Sequence, residues 1–311
     1  MHKYLRAVGF SEFNTKKQID DFLKENVKSD NLISSSKTYD NRIIGQHQIL
    51  VAQTLGLSVL CEEDQDKITR IDYYFPYLKG YDYTMIQECT IERHSDKDSF
   101  AGIIDDDRLG IAVIFYLTNI NEYKKIIQTN SIQSIKIDRI FLSALSLEGK
   151  IILPLEKKSA AVNNFHSRIV GKKNKDEEDI EDFGDNHFDG MVVDDFTLYN
   201  TVSERYKKED LYSIVETSII PYGIECDKYL IIAEILSVSY KQNAFTNENL
   251  VEMRAVALGL QFNIIINEKD LKGVPKPGRR FRGVVWLQGD VEFLKINKVR
   301  ETEDKQPAEN T

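Results

Sequence analysis

The sequence predicts an α+β fold with mixed or antiparallel sheets, few helices and a β-rich C-terminal half. Hydrophobic residues make up 41% of the 311-residue chain and aromatic residues 10%, which is enough for a packed core. Short apolar runs bounded by Gly, Pro, Asn and Asp recur along the chain and are typical of strands. Helical spacing of apolar residues is found in only a few segments.

Two segments predict helices in the N-terminal half. Thr15 and Gln18 have the spacing of a capping box, and apolar residues follow at helical intervals from Ile19 to Val27. The second segment, 119–128, places Ile120 and its apolar neighbours on one face. Each segment is therefore expected to bury one side against a sheet.

Strands are predicted around these helices. They cover 48–61, 66–75, 84–93 and 100–117, and the arm 110–117 is apolar on both faces, as in a central strand. A hairpin turn is expected at 148–150, between apolar runs.

The C-terminal half is predicted to be the more β-rich part. Its strands are expected at 211–220, 228–240, 251–266, 281–287 and 291–296, with a tight turn between the last two. The block 271–293 has four of the 16 glycines, two of the six prolines and the only tryptophan. A small barrel or a sheet packed on one helix would both accommodate these strands.

Composition predicts the domain limits. Residues 157–191 are rich in charged and polar residues without an apolar period, which indicates a linker. We therefore predict an N-terminal α+β domain at 1–156, a β-rich domain at 192–299 and a disordered tail at 300–311.

Composition also limits the class of protein. No apolar run approaches the ~20 residues of a membrane-spanning helix, and the N-terminus does not have the pattern of a secretion signal. Three widely spaced cysteines favour reduced thiols and a cytoplasmic location. The net charge of −9 argues against nucleic acid and membranes as general partners.

One cluster of residues could bind a metal ion. Glu92 and His94 precede the acidic turn that contains Asp105 and Asp107, and carboxylates with an imidazole can ligate a divalent ion. Such a site would support a metal-assisted hydrolase. A hairpin turn and the solvated face of an edge strand explain the same residues without any metal.

A second cluster is basic and aromatic. Arg279, Arg280 and Arg282 precede Trp286, a pattern that could hold phosphates and stack bases or another ligand. Pairing with acidic residues elsewhere in the chain is the alternative. Cys226 has two acidic neighbours, which disfavour a reactive thiolate, so a packing role is expected. No nucleotide-binding glycine motif, serine-hydrolase elbow or zinc-protease motif is present, and no cofactor is predicted.

Four separated segments carry a family resemblance: 1–10, 92–119, 209–235 and 275–293. In this order they resemble an uncharacterised family of Gram-positive bacteria that is catalogued as a domain of unknown function. The resemblance implies a bacterial cytoplasmic protein and supplies no catalytic residues. Because no catalytic set is evident, the favoured hypothesis is a non-enzymatic protein that binds a protein or small ligand. A metal-assisted hydrolase and a nucleic-acid binder are the alternatives.

Overall fold

The computed structural model describes residues 2–38, 41–64, 67–84, 88–93, 99–105, 107, 109–129, 136–152 and 217–294. The predicted fold class is confirmed, because the described chain is rich in strands, has few helices and forms both antiparallel and mixed sheets. The helices are α1 (Lys16–Asn26), α2 (Ile120–Thr129) and the 3₁₀ helices Lys3–Val8, Ser29–Asn31 and Glu268–Asp270.

The first sheet is antiparallel and contains four strands in chain order. They are β1 (Leu32–Lys37), β2 (Ile43–Ala52), β3 (Leu55–Asp64) and β4 (Lys67–Leu78). The inner strands β2 and β3 are buried over most of their length. Both predicted β-rich runs of this region are therefore strands of one sheet.

The second sheet contains eleven strands. Five of them lie before the gap at 153–216 in the described residues: β5 (Tyr83–Thr84), β6 (Cys89–Arg93), β7 (Phe100–Ile104), β8 (Val113–Leu117) and β9 (Ile137–Ile152). The first strand after the gap is β10 (Ser218–Pro221). The others are β11 (Lys228–Gln242), β12 (Asn249–Ala257), β13 (Leu260–Asn267), β14 (Leu271–Lys272) and β15 (Arg280–Phe293).

Five of these strands pair in a closed ring. β11 pairs with β12, β12 with β13, β13 with β9, β9 with β15, and β15 returns to β11. Only the β13–β9 pairing within the ring is parallel. The ring needs β9 from before the gap as well as four strands from after it. The predicted domain and linker limits at 156, 191 and 299 lie outside the described residues and stay predictions.

The two helix predictions for the N-terminal half are confirmed. Thr15 and Gln18 form both hydrogen bonds of the capping box, and α1 buries Ile19 and Leu23. The second predicted helix is α2, which contacts β1 and β2. Apolar residues at helical spacing also predict a helix at 192–210, which lies outside the described residues.

Three strand predictions are wrong in their connections. Strands β9 and β15 continue through the predicted turns at 148–150 and 288–290, and each is a single long strand. The predicted strand 251–266 is instead the hairpin β12–β13, because Leu258 and Gly259 both have positive φ and make a tight turn. Gly149 lies within β9 because the Phe281 ring covers its backbone, where a side chain would overlap the ring.

Replacing Gly149 by Ala should destabilise the protein by about 1–3 kcal/mol, because the new methyl group would force the Phe281 ring to move. Chemical denaturation measures this change. The matched control is the same substitution in a Phe281→Leu background, where the smaller side chain should reduce the cost of Gly149→Ala. An equal cost in both backgrounds would contradict the steric explanation.

Candidate functional site

A hollow of about 720 Å³ lies between the two sheets and is bordered by α2. Side chains of β2, β3 and β4 line one side, and side chains of β6, β8 and β15 line the other. Half of the lining residues are aromatic: His2, Tyr73, Tyr74, Phe75, Tyr116 and Trp286. We call this space the aromatic hollow.

The rings of the aromatic hollow contact one another in a continuous series. Tyr73 and Phe75 have centroids 6.1 Å apart, and Phe75 meets Tyr116 edge-on at 5.0 Å. Tyr116 is 5.1 Å from Trp286, which is 4.9 Å from His2. These spacings are within the range of favourable ring–ring contacts, so the wall is a packed aromatic surface.

Hydrogen bonds hold the polar ends of these rings. The Trp286 indole N–H donates to Asp227 at 2.7 Å, and the Tyr73 and Tyr116 hydroxyl groups are 3.3 Å apart. The His2 backbone N–H donates to the Tyr74 hydroxyl at 3.2 Å. These bonds give the polar atoms of the rings partners and restrict how the rings can turn.

The His2 imidazole and the Tyr116 hydroxyl group are neutral at pH 7. Burial lowers the pKa of His2 from 6.5 to about 4, and the positive charge of Lys3 adds to this effect. The His2 Nδ1 atom accepts a hydrogen bond from the Tyr4 N–H at 3.4 Å, as a neutral imidazole can. Burial, and then contact with Tyr73, raise the pKa of Tyr116 well above 10.0.

A second hollow of about 1080 Å³ lies between α1 and β4, and we call it the outer hollow. It shares His2, Asp72, Tyr73 and Tyr74 with the aromatic hollow. Its other polar lining includes the basic residues Lys16, Lys24 and Arg70 and the acidic residue Asp20. The two hollows are therefore adjacent spaces with a common wall.

The predicted metal-binding residues do not come together where the structure describes them. Glu92 is exposed on β6 opposite Ala101, whereas the Asp105 N–H bonds to Glu88 at the other end of the β6–β7 pair. Four residues of strand separate these ends, about 13 Å at the usual rise. Asp107 is an exposed turn residue, and His94 lies outside the described residues.

Elsewhere in the described part of the chain, no three histidine, cysteine, aspartate or glutamate side chains group closely enough to hold a metal ion. The predicted set of Glu92, His94, Asp105 and Asp107 includes His94, on which the structure is silent, so that metal site stays a prediction.

The predicted ligand-binding residues Arg279, Arg280, Arg282 and Trp286 lie in different surroundings. Arg279 donates to the Val274 carbonyl at 2.8 Å, and Arg280 is buried within the sheet. Arg282 lines a separate hollow of about 300 Å³. Trp286 alone of this set lines the aromatic hollow, about 20 Å along the strand from Arg280 at the usual rise. A shared ligand for all four residues stays a prediction.

Sequence reasoning identified Trp286 but missed the residues that surround it. Tyr73 and Tyr116 belong to predicted strands, and the apolar pattern of those strands gives no sign that they face each other. His2 precedes the first described helix by one residue. The sequence signal that could have pointed to part of this wall is the run of three aromatic residues at 73–75. No helix in the described ranges is long and apolar enough to cross a membrane.

Replacing His2 by Asn should remove a pH-dependent loss of stability. Since the pKa of His2 is about 4 in the folded protein and 6.5 in the unfolded chain, only the unfolded chain takes up the proton between these values. The free energy of unfolding should therefore fall by up to about 3 kcal/mol as pH decreases from 6.5 to 4. Asn retains a hydrogen-bond acceptor for the helix terminus and does not titrate.

Denaturation curves at pH 7 and pH 4.5, followed by Trp286 emission, measure this difference. The prediction fails if the variant loses as much stability on acidification as the parent protein.

Comparison with known proteins places the chain in a family. A family model with the description "Domain of unknown function, E. rectale Gene description (DUF3881)" matches residues 5–289. No curated protein and no solved structure matches the chain. The resemblance that the sequence motifs indicated is thereby confirmed. Because the matched residues make up most of the 311-residue chain, the chain belongs to the DUF3881 family.

Proposed function

We propose that this protein is a non-enzymatic binding protein whose ligand is a small molecule with a planar ring. The observation that carries the proposal is the aromatic hollow, in which six aromatic residues from four segments of the chain line one space. Its volume of about 720 Å³ is within the usual range of small-molecule sites, roughly 300–1,000 Å³.

The chemistry of the wall favours a planar ligand. Ring faces attract other rings in offset or edge-on arrangements, and each such pair contributes about 0.5–1.5 kcal/mol beyond the burial of apolar area. The hydroxyl group of Tyr116 stays protonated, so it can orient a polar atom of the ligand without adding charge.

Preformed walls also favour binding over a reaction. The Trp286–Asp227 hydrogen bond and the ring contacts hold the indole in place, so little side-chain entropy is lost when a ligand enters. The neutral His2 imidazole accepts the Tyr4 N–H, which occupies one of its two nitrogen atoms. These features support a rigid receptor for a ring.

We propose a cytoplasmic location for this binding protein. The three cysteines, all among the described residues, form no disulfide. Burial raises the pKa of the Cys61 thiol to about 12, which keeps it protonated and unreactive. Reduced, protonated thiols are the usual state in a reducing compartment.

Planar bicyclic and tricyclic ring compounds should quench or shift the emission of Trp286. Because Trp286 is the only tryptophan of the chain and lines the aromatic hollow, its emission reports occupation of this site. Titration of a panel of such compounds gives their dissociation constants, and a rise in melting temperature provides a second measurement. If no compound of the panel changes either signal, the proposal is wrong.

Replacing Tyr116 by Leu should weaken the binding of an active ring compound by about three- to tenfold, because one ring–ring contact is lost. Tyr240→Leu is the matched control, since Tyr240 is 61% exposed and does not line the hollow. Equal affinities of the Tyr116→Leu variant and the parent protein would show that the compound binds elsewhere.

A further inference from the structure

We infer that the ligand is an anion, in which a planar ring carries a carboxylate, sulfonate or phosphate group that lies in the outer hollow. This inference rests on the proposed function, because it assigns the ring to the aromatic hollow. It adds the charge of the ligand and the location of that charge.

The charge of the lining is opposite to that of the whole protein. Among the described lining residues of the two hollows, two are acidic, Asp20 and Asp72, and five are basic: Lys16, Lys24, Arg70, Arg93 and Lys124. The chain as a whole has a net charge of −9. A local excess of basic side chains in an acidic protein attracts anions to this one region.

The acidic residues of the outer hollow have basic neighbours. The Asp72 carboxylate accepts from the Arg70 guanidinium at 2.7 Å, and the same guanidinium lies 3.2 Å from the Glu62 carboxylate, so Arg70 offsets two acidic groups. Asp20 lies on α1 between Lys16 and Lys24, four residues from each, which is the spacing at which helical side chains are neighbours. The two lysines outnumber this one carboxylate on the helix face that borders the hollow.

We assign the two parts of the ligand to different hollows, the ring to the aromatic hollow and the anionic group to the outer hollow. An anionic group is strongly hydrated, and its transfer onto a wall of buried rings would be costly. The outer hollow offers exposed ammonium groups at Lys16 and Lys24 together with access to water. Because His2, Tyr73 and Tyr74 border both spaces, the hollows are adjacent, and the proposed ligand places its ring in one and its charge in the other.

The basic residues that line the aromatic hollow offer an alternative position for the anionic group of the ligand. Lys124 is only 7% exposed on α2, and Arg93 ends β6. Both line the aromatic hollow and have interactions of their own in the structure. An anion held by Lys124 would lie among the rings, so substitution of Lys124 and of the outer lysines distinguishes the two positions.

The experiment compares two fluorescent probes that differ by one charged group. They are 8-anilinonaphthalene-1-sulfonate, which is an anion, and N-phenyl-1-naphthylamine, which lacks the sulfonate and is neutral. Energy transfer from Trp286 to the probe restricts the signal to molecules bound near the aromatic hollow. Dissociation constants are measured at low ionic strength and again with added salt, since salt screens exposed charges.

The full-length protein is compared with the double variant Lys16→Met/Lys24→Met. Methionine favours helix as lysine does, so α1 should be retained. The matched control is Lys17→Met, because Lys17 is exposed on the same helix but does not line either hollow. Lys124→Met tests the inner position.

We expect the parent protein to bind the anionic probe about tenfold more tightly than the neutral one, as charged hydrogen bonds would give. The double variant should lose most of this preference, and Lys17→Met should retain it. Equal binding of the two probes would overturn the anion assignment while leaving the proposed function intact. Loss of the preference in Lys124→Met but not in the double variant would overturn its location. Failure of both probes to accept energy from Trp286 would instead count against the proposed function itself.

Discussion

Buried amide side chains hold this structure together by hydrogen bonds that join the first sheet to the second sheet and to the segment of Thr118 and α2 that follows β8. The Gln288 side chain of β15 donates to the Pro76 carbonyl of β4 at 2.8 Å, and the Gln46 side chain of β2 donates to the Thr118 carbonyl at 2.8 Å. Asn121 of α2 donates to the Ile44 carbonyl at 2.8 Å. Each amide is almost fully buried, so loss of its partner would leave a desolvated polar group at a cost of about 1–3 kcal/mol. These bonds therefore fix the relative position of the two sheets more specifically than apolar contact does.

The candidate site depends directly on this arrangement. Gln288 is two residues from Trp286 on β15, and its partner Pro76 is adjacent to Phe75 on β4. The hydrogen bond thus holds the indole opposite the aromatic residues of β4, with Tyr116 between them. The strands that contribute to this wall are each hydrogen-bonded to neighbouring strands, which restricts their movement. This rigidity is what a receptor for a planar ring requires.

The helices and most strands could be predicted because their signals are local. The capping box of Thr15 and Gln18 acts within one helical turn, so neighbouring residues suffice to identify it. The turns between strands were harder to predict, because Gly149 and Gly289 have the local sequence pattern of turn residues. In the folded protein, the Phe281 and Phe115 rings lie over these glycines, and strand pairing continues through both positions. The covering rings are far away in sequence from Gly149 and Gly289, so no local pattern records them.

By itself, the sequence determined the α+β class, the family, the position of α1 and α2, and the importance of Trp286 as a singular residue. Those properties depend on composition and on periodicity within short segments. Only the tertiary structure decided that β9 closes a ring with strands from the other side of the gap, and that Tyr73, Tyr116 and His2 surround Trp286. Strand pairing between distant segments is set by long-range packing and by the register of the backbone hydrogen bonds. The site exists because those pairings bring together residues that are separated by up to 284 positions in the chain, from His2 to Trp286.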